Sequence, residues 1–435
     1  MTWILLIINL ATIAVAARKR VLPYTVLSAI FTVLVAGQAF QMEADFSQSS
    51  VLNYAFSRIS YRGFLPALWY AAIVSGISLI LAFVGKGYTR YQHPEPRYTF
   101  QPSIGIYWVI LGTISTVAAY LVFGVVGLSA FIRSSRPGNQ PGATLFITLM
   151  SIGLFPLLFK LFTRCRVTRF DVLCYALTLL VTAGFSRLHV IIYIIVLLLA
   201  LYYERGWANR QFGFRLFIRI FGTGAAAVIF FFVVGAIRDA ENFTHGTFSD
   251  LVKYNLDHPE TSLLSLQYTN RVSIEGMSGL AGAFTAALEN PGQTDRDYGL
   301  SITMNGIAQM LPSVIKAQLQ DYLVTIDAFY WYKKAAGNVS PGIESSFVSF
   351  GWLGAVIYPL LFFATAWKFP MWVLSRQLSP PIKLTCFMWL GCGVFFVRGS
   401  WPDWVAFSLS YAVIICLVWV LFSVCFSPSG LAETA

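Results

Sequence analysis

The sequence predicts an all-α polytopic membrane protein with about eleven transmembrane helices and one large, partly helical loop. Of its 435 residues, 57% are hydrophobic and only 11% are charged, whereas a soluble domain carries about 25% charged residues. The mean hydropathy is +0.68, and 37 phenylalanines outnumber the 19 acidic residues. Most of the surface must therefore face lipid, which excludes a soluble multidomain protein.

Eleven apolar windows, each long enough or nearly long enough to cross a bilayer, give the predicted helices. They cover residues 2–17, 21–40, 64–84, 104–130, 143–162, 170–185, 188–203, 216–236, 348–367, 384–397 and 405–426. The windows 2–17, 188–203 and 384–397 are shorter than the ~20 residues that a full crossing needs. We expect these three helices to recruit flanking polar residues or to be broken or re-entrant.

The distribution of lysine and arginine predicts the orientation of the chain in the membrane. Basic residues are concentrated in alternate connections, at residues 18–20, 86–97, 160–169, 205–219 and 368–383. By the positive-inside rule these connections are cytoplasmic, so the N-terminus lies outside and the C-terminus lies in the cytoplasm. The net charge of +11 comes from basic residues that are scattered between apolar runs and are not massed on one domain. This distribution argues against nucleic acid as a partner.

One connection, residues 237–347, is much longer than the others and holds most of the acidic residues. It divides the chain into an N-terminal bundle of about eight helices, residues 1–236, and about three C-terminal helices, residues 348–435. Apolar residues recur at spacings of three and four within residues 261–290, which is typical of a helix. We therefore expect a partly helical cap over the outer face of the bundle.

Arg187 and His189 lie between two predicted helices, in the stretch TAGFSRLHV at residues 182–190. A charge beside the membrane is costly unless it is paired, hydrated or used, so Arg187 is a candidate site residue. Its guanidinium could bind a phosphate bidentately, and snorkelling to lipid headgroups is the structural alternative. His189 could donate a second hydrogen bond, act as an acid or base, or be merely hydrogen-bonded near the interface.

Other charged residues follow other helices on the predicted outer side. Arg238 and Asp239 follow the window 216–236, where they could bind substrate or form an ordinary helix-end ion pair. Arg398 follows the short window 384–397. If these helix ends converge, Arg187, Arg238 and Arg398 form a pyrophosphate-binding site.

The long loop contributes the remaining candidates. Arg296, Asp297 and Tyr298 lie together in a turn-rich stretch, and Asp297 and Tyr298 are candidate contacts for an acceptor substrate. Glu344 lies just before the helix predicted at 348–367. Its carboxylate could act as a general base on a hydroxyl or hold a cation in place.

Motifs for nucleotide and metal chemistry are absent from the sequence. It contains no Walker A motif, no dinucleotide-binding GxGxxG, no HExxH zinc motif and no nucleophile elbow. The six cysteines include no CxxC pair, which argues against a disulfide framework and against a metal knuckle. We therefore expect neither a cofactor nor a metal.

Several of these features together resemble the Wzy-type O-antigen and oligosaccharide repeat-unit polymerases. They are the eleven-helix layout with one large outer loop, GFSR at a helical hairpin, DYGLSI in the loop, and GIESSFVSFGWLGAVIYP entering the next helix. The resemblance in layout covers most of the chain, and the motifs cover a small part of it. It implies a GT-C-like bundle in the bacterial inner membrane, with the large loop in the periplasm.

The resemblance also implies an activity, that of a membrane glycosyltransferase. Such an enzyme moves a growing glycan from its undecaprenyl-pyrophosphate carrier onto a newly flipped, lipid-linked repeat unit, without nucleotide sugar or metal. Attack opposite the leaving pyrophosphate would invert the anomeric centre. The implied partners are membrane lipid, the lipid-linked glycans, a chain-length regulator and a repeat-unit flippase.

The arginines that the family is thought to use for pyrophosphate binding can be carried over to this sequence. They correspond to Arg187 in GFSR and, with weaker matches, to Arg238, Arg296 and Arg398. Arg271 has Gly282 eleven positions later, a spacing described for the large loops of some members.

The resemblance does not identify the general base. Glu344 corresponds to the acid of the motif before the late helix, and Asp239 and His189 are the other candidates. Two other activities stay open. An O-antigen ligase has a similar architecture and a different acceptor, and a lipid-linked oligosaccharide flippase or other transporter would carry polar residues near the middle of several spans.

Overall fold

The chain forms two compact units, each built from several separate stretches of sequence. The computed structural model describes residues 1–54, 57–88, 98–100, 151–185, 187–205, 257, 276–289, 342–376, 378–398, 401–423 and 426–428. Unit 1 consists of Met1–Thr89, Thr269–Leu374 and Cys392–Ser408. Unit 2 consists of Arg90–Tyr268, Ser375–Gly391 and Leu409–Ala435.

Unit 1 begins with three long helical stretches. They are α1 (Thr2–Arg18); α2 (Leu22–Thr32), which continues through a π-helical turn (Val33–Gly37) into α3 (Gln38–Phe46); and α4 (Tyr61–Val84). An antiparallel hairpin of β1 (Val51–Tyr54) and β2 (Ser57–Ser60) joins α3 to α4. Ser60 caps α4, because its Oγ accepts a hydrogen bond from Gly63 N at 3.2 Å and so satisfies one of the N–H groups that a helix start leaves open.

The side chains between α1, α2 and α4 are mostly apolar. Tyr24 and Tyr70 are among the largest fully buried residues. Asn9 is a polar exception within α1, and its Nδ2 donates to Ser75 Oγ at 3.1 Å and to Leu5 O at 2.8 Å. The buried amide is therefore satisfied inside the bundle, as buried polar groups usually are.

Lys19 joins the C-terminal end of α1 to that of α4. Its Nζ donates to three carbonyls at the end of α4, those of Ala82, Phe83 and Gly85. A helix end leaves such carbonyls without intrahelical donors. The predicted cytoplasmic connections that follow α1 and α4 therefore lie at the same end of unit 1.

Two further helices of unit 1, α8 (Met277–Glu289) and α9 (Gly342–Phe350), begin inside it. Gly276, just before α8, lies against the carbonyl of Leu34, about midway along α2–α3. Thr285, near the other end of α8, accepts a hydrogen bond from Ser60 N at the start of α4. Helix α8 therefore extends from the middle of unit 1 to the end at which α4 begins.

Helix α9 folds back on the helix that follows it. A short 3₁₀ turn (Gly351–Leu353) leads into α10 (Gly354–Phe363), a π-helical turn (Ala364–Lys368) and α11 (Phe369–Ser375). Gly342 lies against the ring of Tyr358, whereas Gly354 lies against the carbonyl of Ser346. Contacts at these positions mean that α9 and α10 form an antiparallel helical hairpin. We call α8 and α9 the half-helices.

Unit 2 is also mostly helical where the structure describes it. Its helices are α5 (Phe155–Phe162) after a 3₁₀ turn (Ser151–Leu154), α6 (Arg169–Phe185), α7 (Arg187–Glu204) and α12 (Pro380–Gly391). The short strands β3 (Tyr98–Phe100) and β4 (Phe426–Pro428) pair in an antiparallel manner. Helix α13 (Gly393–Arg398) belongs to unit 1, and α14 (Trp401–Ser423) begins in unit 1 and continues in unit 2.

Two ion pairs connect helix ends in unit 2. Lys160 Nζ lies 2.8 Å from both carboxylate oxygens of Asp171, and the two side chains are 4% and 1% exposed. Asp171 also accepts hydrogen bonds from the backbone and hydroxyl of Thr168, each at 2.7 Å. Lys383 Nζ lies 2.6 Å from Glu204 Oε1. These residues lie in or next to connections that the sequence predicts to be cytoplasmic.

Among the residues that the structure describes, four helical stretches are long and apolar enough to cross a membrane. They are Leu22–Phe46, Tyr61–Val84, Gly342–Ser375 and Pro380–Val397. The chain is thus a mostly helical membrane protein. The predicted windows 104–130 and 216–236 lie outside the described residues, and every other predicted window overlaps a helix. The number of eleven spans, the orientation of the termini, the periplasmic loop and the division at 236 and 347 stay predictions.

The structure differs from the predicted elements in two respects. The two small antiparallel sheets depart from an all-α fold. The helix predicted at 348–367 begins earlier, at Gly342, and is interrupted at Gly351, whose φ of +61° favours glycine. Helix α8 confirms a helix within residues 261–290, and its first nine residues are buried inside unit 1. Helices α12 and α13 cover the short window 384–397, with a turn at Cys392 between them.

Candidate functional site

Glu344 lies in the first turn of α9 and is 1% exposed. A carboxylate at this position is favoured by the partial positive charge of the helix start. The neighbouring Ser345 and Ser346 are buried as well, so the motif GIESS brings a polar cluster into an otherwise apolar part of unit 1. Burial of a carboxylate is expensive unless it is used or well solvated by dipoles, which makes Glu344 the strongest candidate among the described residues.

Helix α9 is fixed by close contacts that require glycine. A side chain at Gly342 would place its Cβ 2.0 Å from the carbonyl oxygen of Phe396, and one at Gly354 would place it 2.1 Å from the carbonyl oxygen of Ser346. The backbones of α9, α10 and α13 can approach each other this closely only because Cβ atoms are absent. The position of Glu344 is therefore set by backbone contacts rather than by flexible side chains.

Tyr70 of α4 connects α4 to α9 by a hydrogen bond. Its hydroxyl lies 2.8 Å from Ser346 Oγ, which in turn donates to Ile343 O at 2.7 Å. Phe347 stacks on Phe284 of α8, with 3.7 Å between the ring centroids. The two half-helices are therefore packed against each other and against α4.

Both half-helices begin beside the same part of α2–α3. Gly276 has a φ of +78° and lies against the carbonyl of Leu34. Tyr358, which borders Gly342, has its ring centroid 6.1 Å from that of Phe31, one turn earlier on α2. The π-helical turn at Val33–Gly37 interrupts the α-helix at this level, and such turns are frequent at functional sites.

Gln38 and Tyr358 add two polar side chains to this region. Gln38 Oε1 accepts a hydrogen bond from Ser278 N in the first turn of α8, at 3.1 Å, and so caps that helix from a neighbouring one. Within the described part of the chain, Gln38 Nε2 and the Tyr358 hydroxyl have no hydrogen-bond partner, although the residues are only 1% and 3% exposed. The region therefore offers a buried carboxylate and two buried donors near the starts of two helices.

His189 belongs to unit 2, in the first turn of α7. It is 6% exposed, and its ring centroid is 6.4 Å from those of Tyr193 and Tyr411. The hydroxyls of these tyrosines are 2.8 Å apart, and Tyr175 donates to the Tyr193 carbonyl at 2.7 Å. The residue is thus packed in an aromatic, hydrogen-bonded cluster of unit 2.

The structure locates the other predicted site residues only in part. Arg187 begins α7 in unit 2, and Arg398 ends α13 in unit 1. Six further predicted residues lie outside the described residues, namely Arg238, Asp239, Arg271, Arg296, Asp297 and Tyr298. The convergence of arginines on a pyrophosphate therefore stays a prediction.

Sequence reasoning did not select Gln38 and Tyr358. Gln38 is a polar residue within an apolar window, which is a signal in itself, and Tyr358 lies in the motif GIESSFVSFGWLGAVIYP that was used for Glu344. In the parts of the chain that the structure describes, no group of three His, Cys, Asp or Glu side chains could hold a metal ion.

Comparisons with models of protein families, with curated proteins and with solved structures find no match for this chain.

Proposed function

We propose that the protein is a membrane glycosyltransferase that polymerises undecaprenyl-pyrophosphate-linked oligosaccharide repeat units into an O-antigen or a similar surface glycan. The reaction takes place on the periplasmic face of the bacterial inner membrane. The growing chain moves from its lipid carrier to a new lipid-linked repeat unit, which a flippase supplies. A chain-length regulator is a further expected partner.

The observation that supports this proposal most directly is the placement of Glu344. The residue lies in the most specific of the motifs that resemble the polymerase family, and it is buried at the start of a half-helix next to the buried Ser345 and Ser346. A carboxylate held rigidly in a water-poor place is suited to orienting and deprotonating an acceptor hydroxyl.

The proposed reaction needs only two kinds of residue. The acceptor oxygen attacks the anomeric carbon and gives its proton to Glu344, while the bond between that carbon and the pyrophosphate oxygen breaks. The pyrophosphate lipid leaves with the bonding electrons, and its developing charge needs fixed cations. Arg187, Arg238, Arg296, Arg398 and Arg271 are the candidates for this second role, and Asp239 and His189 are alternative bases.

Purified protein in proteoliposomes, supplied with lipid-linked repeat units, tests the proposal. We expect the wild-type protein to make longer glycans, visible as a ladder on a gel, and Glu344→Gln to slow elongation by about a hundredfold or more. Glu289→Gln is the matched control, because Glu289 is an exposed acid at the end of the other half-helix. An unchanged ladder with Glu344→Gln would remove Glu344 from the reaction, and a wild-type protein that makes no ladder would contradict the proposed activity.

A transporter of lipid-linked oligosaccharides is a second candidate, which the half-helices favour. Discontinuous helices that begin inside the bundle are typical of transporter binding sites, and Gln38 and Glu344 are buried polar residues there. The same proteoliposomes separate the two activities. Movement of a single repeat unit between leaflets without elongation would favour the transporter over the polymerase.

A further inference from the structure

We infer that Gln38 and Tyr358 bind hydroxyl groups of the sugar that Glu344 activates, at the place where the two half-helices begin. The inference rests on the proposed function and deepens it, because it assigns the acceptor-binding part of the same site. The two residues are positioning residues, and their hydrogen bonds would select a hydroxylated acceptor.

The orientation of the Gln38 amide follows from its neighbour. Ser278 N is a backbone donor, so the group that faces it at 3.1 Å must be the amide oxygen. The amide nitrogen of Gln38 therefore points elsewhere, and it has no partner although the residue is 1% exposed. A buried N–H donor without an acceptor is unfavourable in the free protein, so a ligand that accepts a hydrogen bond would be stabilised there.

Tyr358 differs from Tyr24 and Tyr70, which are the fully buried tyrosines among the described residues of unit 1. Tyr24 donates to the carbonyl of Ser78 at 3.2 Å, and the Tyr70 hydroxyl is 2.8 Å from Ser346 Oγ. The Tyr358 hydroxyl has no partner, while the edge of its ring borders Gly342 at the start of α9. The hydroxyl is thus available beside the turn that carries Glu344.

The chemistry of these groups narrows the class of ligand. Gln38 Nε2 and the two helix starts are donors, the Tyr358 hydroxyl can donate or accept, and Glu344 supplies carboxylate oxygens that accept. An apolar lipid tail would leave the hydrogen-bond donors unsatisfied. A phosphate is disfavoured as well, because its negative charge would be repelled by the Glu344 carboxylate. A neutral, hydroxyl-rich sugar matches both kinds of group, because each hydroxyl donates one hydrogen bond and accepts others.

Tyr358→Phe is the most direct test, because it removes a hydroxyl that has no hydrogen-bond partner among the residues that the structure describes. The full-length protein in nanodiscs is titrated with two probes, a lipid-linked single repeat unit and undecaprenyl pyrophosphate without sugar. We expect Tyr358→Phe to weaken binding of the sugar-bearing probe by roughly three- to tenfold, with binding of the sugar-free probe and the melting temperature unchanged or raised. In elongation, KM for the acceptor should rise by the same factor and kcat should change little.

Tyr24→Phe is the matched control, since it removes the hydrogen bond to Ser78 and should lower the melting temperature without changing the preference for sugar. Gln38→Met gives an independent test, because it should lose the same preference for the sugar-bearing probe.

The inference is overturned if Tyr358→Phe binds the sugar-bearing probe as tightly as the wild type, or if it loses binding of both probes equally. If the wild type elongates glycans while Tyr358→Phe has an unchanged KM, the proposed function stands and only the inference fails. A wild type that neither binds the sugar-bearing probe nor elongates would refute the proposed function as well.

Discussion

Gly354→Ala should disturb the helical hairpin that carries Glu344. The new Cβ would lie 2.1 Å from the carbonyl oxygen of Ser346 and 2.5 Å from the Tyr70 hydroxyl. The backbone of α9 cannot move aside as a flexible side chain can, so the two helices must separate. Overpacking of this kind costs about 1–3 kcal/mol, and loss of the bond between Tyr70 and Ser346 adds about 0.5–1.5 kcal/mol. We therefore expect a total destabilisation of about 1.5–4.5 kcal/mol.

Thermal unfolding of the purified protein in detergent measures this effect, and elongation in proteoliposomes measures its consequence for Glu344. Gly76→Ala is the control, because Gly76 lies within α4 and an added Cβ there meets nothing within 4 Å. That variant should be neutral or more stable by up to about 1 kcal/mol, since alanine is the better helix former. Equal melting temperatures for the two variants would refute the close approach of α9 and α10.

Three further predictions concern the charged and polar contacts. Asp171→Ala should destabilise unit 2 by about 3–5 kcal/mol, because it leaves the Lys160 ammonium buried without its partner; the double variant with Lys160→Met should recover most of the loss in thermal unfolding. Lys19→Met should cost about 1 kcal/mol or more, because three carbonyls at the end of α4 lose their donor, and a melting temperature equal to that of the wild type would contradict the cap. His189→Gln should leave folding intact and slow elongation if His189 is a base; unchanged elongation would assign it to the aromatic cluster alone.

The sequence predicted the helices well because the bilayer imposes a simple rule. A stretch that faces lipid must be apolar and must satisfy its backbone hydrogen bonds internally, so windows of hydropathy find α1, α4 and α14 directly. The same reasoning identified Glu344, because an ionisable side chain beside an apolar span is costly and therefore indicates a functional role.

The direction of the chain inside unit 1 could not be read from the sequence. Residues 342–375 form one apolar stretch, and hydropathy is the same whether such a stretch crosses once or turns back on itself. The turn depends on the φ of +61° at Gly351, which composition does not reveal. The cap of α8 joins Gln38 to Ser278 across 240 positions, and no local pattern predicts a contact of that separation.

The position of Glu344 also determines how its variants can be interpreted. A carboxylate buried at the C-terminal end of a helix would face the negative end of the dipole, whereas Glu344 in the first turn of α9 faces the positive end. The helix therefore lowers the cost of keeping the carboxylate buried. An amide of the same shape is tolerated at a helix start as well, so Glu344→Gln should fold like the wild type. Loss of elongation in a folded Glu344→Gln protein would then report on proton transfer and not on assembly of the half-helices.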